Sequence, residues 1–182
     1  MKVTSKNLIQ ELVERTQQNI KEAEKFYLLT IEKLNKRNTP DSWSILECLE
    51  HLNLYGDFYL PEIESRILAS NTKSAPTFTS GFLGNYFAKS MAPKEKLNTM
   101  KTFKDKNPIH KNLDKSHIDR FIQQQKKTLV LLNLAKEKNL NKIKTSVSIS
   151  KWIKLRLGDT FRILIYHNER HIVQANKIMH YN

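Results

Sequence analysis

The chain has 182 residues, with one cysteine, four glycines, five prolines and a formal net charge of +13. This length is enough to bury a core without disulfides, so we expect one domain over residues 1–182. Glycine and proline are scarce, whereas Leu, Ile, Lys, Glu, Gln and Asn are abundant. This composition favours an all-α protein over a sheet of short strands.

Several classes of protein are disfavoured by what the sequence lacks. The N-terminus has no apolar stretch of the kind that a signal peptide needs, and no segment approaches the ~20 apolar residues that span a bilayer. The lone Cys48 cannot form an intrachain disulfide. We therefore expect a soluble, cytoplasmic protein with no membrane partner.

The charge is unevenly distributed along the chain. Residues 41–64 contain six acidic side chains and no Lys or Arg, whereas residues 126–156 contain nine basic side chains and one acidic one, Glu137. A basic stretch is typical of polyanion-binding proteins, but dispersed lysines without a recognition motif support only nonspecific phosphate contacts. We therefore favour a solvated surface, and nucleic-acid binding is the weaker hypothesis.

Two long helices are predicted in the first part of the chain. Apolar residues recur at spacings of three and four over residues 5–36, and this first helix should end before Pro40. The second helix begins at a capping box formed by Ser44 and Glu47. Pro61 lies inside its apolar pattern and predicts a kink or a break.

The rest of the chain predicts a crossover and two further helices. Residues 70–114 form a long crossover with a short helix near 82–91, and the third helix starts near Ser116. The connection 139–155 is compatible with a short strand or a helical turn. The fourth helix follows a glycine, with Asp159 as its N-cap. Together these elements predict a four-helix bundle with a long crossover connection.

Three histidines fall on inward positions of two predicted helices. On the fourth helix the apolar stripe passes through His167 or Asn168 and then His171, and on the second helix it passes through His51. Histidines at i and i+4 can present two nitrogens to one metal ion, although buried histidines also occur as hydrogen-bonded core residues. Three separate imidazoles would each need a buried partner, whereas one shared metal satisfies all three.

At this point the sequence resembles the DinB superfamily of small four-helix metalloproteins. The pattern of that family is a second helix led by Trp, with Glu and then His, and a last helix with His-x-x-x-His followed by Gln. The residues on these positions here are Trp43, Glu47, His51, His167, His171 and Gln174. The crossover "KTFKDKNP" and the spacing of the third helix also fit, so the resemblance covers nearly the whole chain.

The resemblance implies a divalent metal, zinc or nickel, held by His51, His167 and His171 with an open coordination position. Characterised relatives include S-transferases that use thiols such as bacillithiol or mycothiol, and a mycothiol-dependent isomerase, and homodimers are common. The expected function is therefore a metal-dependent thiol S-transferase, or a related hydrolase or detoxifying enzyme, acting on a small-molecule thiol and an electrophilic substrate. Metal-bound water or thiolate would be the nucleophile. The alternatives are a non-catalytic metal-binding protein and a basic nucleic-acid-binding bundle.

Two residues near His51 have more than one interpretation. Cys48 lies one turn before His51 and is either a fourth ligand or an ordinary core residue. Glu47 either orients a ligand imidazole without touching the metal or serves only in the capping box.

The remaining candidates carry weaker expectations. Trp43 and Tyr55 line a pocket or, as we favour, pack in the core. Arg170 is expected at the surface rather than in contact with substrate. Three further histidines are expected to be exposed: His110, His117 and His180.

Overall fold

The computed structural model of the protein describes residues 1–93, 102–148 and 150–180. Its helices are α1 (Ser5–Lys25), α2 (Ile31–Asn35), α3 (Ile45–Leu68), α4 (Phe82–Met91), α5 (Ser116–Ala135) and α6 (Leu157–His180). Its strands are β1 (Lys2–Thr4), β2 (Thr77–Thr79), β3 (Lys144–Val147) and β4 (Ser150–Arg156). The four long helices α1, α3, α5 and α6 form a bundle in which α1 and α3 each pack against both α5 and α6.

The all-α prediction is confirmed. Within the described ranges the strands form only two small antiparallel pairs, β1 with β2 and β3 with β4. Helix α4 and the start of α5 lie where the sequence predicted them, and the connection at 139–155 contains the β3–β4 hairpin. No helix in the described parts of the chain is both long and apolar enough to cross a membrane.

The first helix is shorter than the predicted range of 5–36. Helix α1 ends at Lys25, and a 3₁₀ turn separates it from α2. The side chain of Thr30 accepts a hydrogen bond from a backbone N–H in the first turn of α2, so the helix restarts after the turn. Phe26 and Leu34, on either side of the restart, enter the same buried cluster.

Helix α3 carries the predicted capping box. The Ser44 hydroxyl accepts from the Glu47 N–H at 3.2 Å, and Glu47 Oε2 accepts from the Ser44 N–H at 2.8 Å. The helix continues through Pro61 to Leu68, so the predicted break does not occur. Pro61 is exposed while its neighbours Leu60 and Ile63 are buried, and that packing offsets the hydrogen bond that proline cannot make.

Asp159 does not cap α6 as predicted, because the helix begins at Leu157, directly after β4. The carboxylate instead lies in the first turn, where negative charge is favourable. It accepts hydrogen bonds from the Gly81 N–H at 2.8 Å and from the Ser80 hydroxyl, and it forms a buried ion pair with Arg162 at 3.3 Å. These contacts attach the start of α4 to α6.

The close approach of α4 to α6 predicts the effect of one substitution. A Cβ added at Gly84 would lie 2.4 Å from Asp159 Cγ and 2.5 Å from its Cβ, and the rigidly bonded Asp159 is fully buried. We expect Gly84→Ala to lower the free energy of unfolding by about 1–3 kcal/mol, measured by urea denaturation. In the control Gly81→Ala the new Cβ would meet Asp159 at 3.5 Å, so the loss should stay well below that of Gly84→Ala. Equal stability of the two variants would contradict the close packing.

Candidate metal centre

Three imidazoles from α3 and α6 converge at one point inside the bundle. His51 Nε2 lies 3.2 Å from His167 Nε2, and His171 Nε2 lies 3.1 Å from the same atom. The three rings form a group whose candidate ligand atoms all lie within 4.8 Å of one another. His51 and His167 are buried; the His171 imidazole is also buried, although the residue as a whole keeps some exposed surface.

The partners of the other ring nitrogens determine which nitrogen carries the proton. His51 Nδ1 lies 2.7 Å from the backbone carbonyl oxygen of Lys106, which can only accept. His171 Nδ1 lies 2.9 Å from Gln174 Oε1, also an acceptor. Each neutral ring therefore carries its hydrogen on Nδ1 and directs the lone pair of Nε2 towards His167.

Burial keeps these imidazoles in the neutral form. Loss of solvation lowers the pKa of His51 to about 4 and that of His171 to about 3, and it lowers the pKa of His167 well below its usual range. The neighbouring imidazoles, Arg170 and Lys106 also contribute to these lower pKa values. At neutral pH the cluster is therefore an uncharged set of nitrogen donors.

The donor geometry fits a divalent cation. His167 Nε2 can donate at most one hydrogen, so it cannot satisfy the lone pairs of both His51 and His171. A tetrahedral site with metal–nitrogen bonds of about 2.0–2.1 Å requires nitrogens roughly 3.3 Å apart, which is close to the observed 3.1 and 3.2 Å. The three-histidine group can therefore hold a divalent metal.

Two aromatic side chains enclose the histidine cluster. The Trp43 ring centroid lies 4.6 Å from that of His51 and 5.5 Å from that of His171. The Tyr55 centroid lies 5.0 Å from that of His51 and 4.9 Å from that of His167. Both aromatic residues are half-buried: Tyr55 and Trp43 pack against the apolar core clusters, as we favoured, and they also line the site.

A segment of the crossover lies beside the cluster. In addition to the contact between His51 and the Lys106 carbonyl, the Trp43 indole N–H donates to Asn107 Oδ1 at 3.1 Å. The backbone N–H of His110 donates to Glu47 Oε1 at 2.7 Å. These contacts hold residues 106–110 against the N-terminal part of α3.

Glu47 contacts this segment and the helix cap. Besides Ser44 and the His110 N–H, its carboxylate accepts from Arg37 Nε at 2.8 Å and from Arg37 Nη2 at 2.6 Å. Burial raises the pKa of Glu47, but the hydrogen bonds from Arg37, Ser44 and His110 outweigh it and the pKa is lowered. The structure thus supports the capping interpretation, and any effect on the histidines passes through the crossover segment.

Cys48 occupies the core. Its side chain is fully buried in a cluster of apolar residues that includes Leu49 and Phe121. Burial raises the pKa of the Cys48 thiol, which disfavours the thiolate that a metal ligand would need. The thiol is therefore a core group in this structure.

The other polar residues of this region have mixed outcomes. Arg170 is buried, so the expected surface position is wrong. His110 is exposed as predicted, whereas His117 lies half-buried in the first turn of α5 and pairs with Asp114 at 3.2 Å. The side chain of His180 lies outside what the structure describes.

The sequence left open whether His167 or Asn168 occupies the inward stripe of α6, and both residues are buried. His167 faces His51, and Asn168 donates to Gln125 on α5 at 3.1 Å. Two adjacent residues of α6 therefore contact two different helices, His167 contacting α3 and Asn168 contacting α5. Lys106 was missed by sequence reasoning, because a backbone carbonyl that orients an imidazole leaves no side-chain signature.

The fold and this cluster define the class of protein: a helical bundle with three neutral imidazoles on facing helices, suited to one divalent ion. The sequence profile of the DinB superfamily matches residues 12–175. The chain therefore belongs to the DinB superfamily. No curated protein and no solved structure gives a significant match.

The lowered pKa values predict how the metal-free protein responds to acid. His51 titrates near 4 in the folded state and near 6.5 in an unfolded chain, so the unfolded state binds more protons between these values. Stability is therefore lost as the pH falls from about 6.5 to about 4, by at most about 1.4 kcal/mol per pH unit for each such histidine.

The measurement is urea denaturation with chelator present at pH 7, 6 and 5. Because other groups also titrate in this range, the comparison is with His51→Gln, whose stability should fall less steeply. Identical slopes for the two proteins would contradict the lowered pKa of His51.

Proposed function

We propose that this protein is a metal-dependent enzyme that activates a low-molecular-weight thiol as a thiolate and joins the whole thiol, through its sulfur, to an electrophilic substrate. The observation that carries the proposal is the convergence of the three Nε2 atoms, with Nδ1 of His51 and of His171 hydrogen-bonded to acceptors. His51, His167 and His171 would hold the metal, zinc or nickel. The thiol, such as bacillithiol, and the expected homodimer and cytoplasmic location rest on the family resemblance alone.

The ligand set supports thiol chemistry. A divalent cation with three neutral ligands and an open position lowers the pKa of a thiol that binds there and so supplies a nucleophilic sulfur. Among the described residues, the charged side chains with a resolved effect on the imidazole pKa values are Lys106 and Arg170, both cations. A hydrolase that activates water commonly uses a carboxylate as general base, so this environment favours a thiol over hydrolysis.

The chain's own side chains would orient the ligands and limit access of water. The Lys106 carbonyl and Gln174 fix two imidazole rings through their Nδ1 hydrogens. Trp43 packs against the imidazoles in a tilted arrangement and Tyr55 in a T-shaped one. Burial raises the pKa of Tyr55 to about 12, so this ring stays neutral at physiological pH.

The alternative of nucleic-acid binding through residues 126–156 receives less support. Lys127 pairs with a glutamate of α3, and Lys138 and Arg156 donate to backbone carbonyls. Lys154 donates to a serine hydroxyl at 2.6 Å. These contacts restrain several of the basic groups within the fold, whereas the histidine cluster has a geometry that a surface charge does not explain.

Metal binding is the first test of the proposal. We expect His51→Ala, His167→Ala and His171→Ala each to lose stoichiometric divalent metal, because each removes one of three donors, with affinity falling by at least about tenfold. The measurement is elemental analysis of protein purified without an affinity tag. His117→Ala is the matched control and should retain the metal, because His117 pairs with Asp114 outside the cluster. Full metal content in any two of the three variants would reject the triad.

Thiol binding is the second test. The cobalt-loaded protein is titrated with bacillithiol, cysteine and glutathione while its visible and near-ultraviolet spectrum is recorded. We expect a thiolate-to-cobalt charge-transfer band that saturates at one thiol per site, because three histidines leave a position open. A fully metallated protein whose spectrum no thiol changes would indicate a closed structural site and reject the transferase function.

A further inference from the structure

We infer that the side chain of Lys106 forms an anion-binding subsite beside the histidine cluster, and that the preferred thiol carries a carboxylate. This inference rests on the proposed function, because it assumes that a thiol binds at the cluster. It adds the chemical class of the substrate and the residue that selects it.

The backbone of Lys106 is fixed next to the cluster. Its carbonyl accepts the hydrogen bond from His51 Nδ1 at 2.7 Å, and the following residue, Asn107, accepts from the Trp43 indole at 3.1 Å. The His110 N–H is held by Glu47 at 2.7 Å. Because these contacts restrain the same short segment, the side chain of Lys106 starts from a defined position beside His51.

The ammonium group lies one aromatic ring away from two of the imidazoles. Lys106 Nζ is 5.9 Å from the centroid of the Tyr55 ring, whose centroid is 5.0 Å from that of His51 and 4.9 Å from that of His167. A molecule bound at the histidines could therefore reach Nζ across the face of Tyr55.

Lys106 has a weak ion pair, although most of its side chain is covered. The side chain of Lys106 is only 20% exposed, yet its nearest charged partner in the described part of the chain is Asp105 Oδ2 at 3.6 Å. That distance is too long for a hydrogen bond, and the Asp105 side chain is 72% exposed, where ion pairs contribute little. No ion partner in the described part of the chain lies at hydrogen-bonding distance from this ammonium, so its three donors are available to an anionic ligand.

The charge balance of the site favours the same class of ligand. The Lys106 ammonium lies beside three imidazoles, which supply no negative charge to balance it. A divalent ion would add two further positive charges. A thiol that binds through its sulfur and presents a carboxylate to Lys106 neutralises more of this charge than a neutral thiol does.

The test compares two thiols that differ only in the anionic group, N-acetylcysteine and N-acetylcysteine amide. Their affinities for the cobalt-loaded protein are measured by calorimetry and by the charge-transfer band, and the readout is the ratio of the acid's affinity to the amide's. We expect wild type to prefer the acid, and Lys106→Gln to reduce this ratio by roughly three- to tenfold. Lys106→Arg should preserve the preference, and rising salt should weaken it in wild type.

Lys104→Gln is the matched control, because Lys104 lies in the same 3₁₀ turn but is exposed. Its acid-to-amide ratio should change by less than about twofold. The backbone carbonyl that orients His51 is retained in every variant, and cobalt content is measured for each. If Lys106→Gln fails to fold, the subsite is tested by the acid-to-amide ratio of Lys106→Arg and by the salt dependence of the wild-type ratio.

The outcomes separate the two proposals. If both thiols bind but Lys106→Gln leaves the ratio unchanged, or Lys106→Arg loses the preference, the subsite is rejected while thiol activation stands. If neither thiol binds the fully metallated wild type, the proposed function fails and the subsite fails with it.

Discussion

The site depends on one constraint: three neutral imidazole nitrogens face one another inside the bundle. The two contacts to His167 Nε2 measure 3.2 and 3.1 Å, and burial lowers the pKa values of the rings, so protonation does not readily relieve the opposed lone pairs at neutral pH. Such an arrangement persists only if α3 and α6 are held in one register by the rest of the fold. The direct packing of α3 against α6, and the hydrogen bond that joins Asn168 of α6 to Gln125 of α5, contribute to that register.

Helix pairing also explains the uneven charge of the sequence. The acidic stretch at 41–64 belongs largely to α3, and α5 places Arg120 and Lys127 against it. Arg120 lies 3.2 Å from Glu50 and also contacts Asp57, further along α3. The charges that look segregated along the chain are therefore partly compensated between neighbouring helices, and the local excess of either sign says little about a partner molecule.

The features of the fold that follow from side-chain periodicity could be predicted from the sequence. The features that depend on tertiary contacts could not. Periodicity and the capping box at Ser44 identified the long helices, and the same periodicity assigned inward positions to the three histidines whose rings meet in the bundle. The end of α1 at Lys25 and the burial of Arg170 depend on packing between distant segments, which local patterns do not contain. Asp159 has the residue type of an N-cap, but its carboxylate binds the start of α4 instead, because β4 leads directly into α6.

The crossover is the part of the site that sequence reasoning could least define, and it connects the helix cap to the histidines. Glu47 satisfies the first turn of α3 and also binds the His110 N–H, so the segment that it restrains is the one whose Lys106 carbonyl fixes His51. A residue with a purely structural role in the cap thereby influences the orientation of an imidazole without touching it. This indirect route gives a physical reason for Glu47 to occur beside the histidine on this helix, since the cap, the crossover and His51 would shift together if its carboxylate were lost.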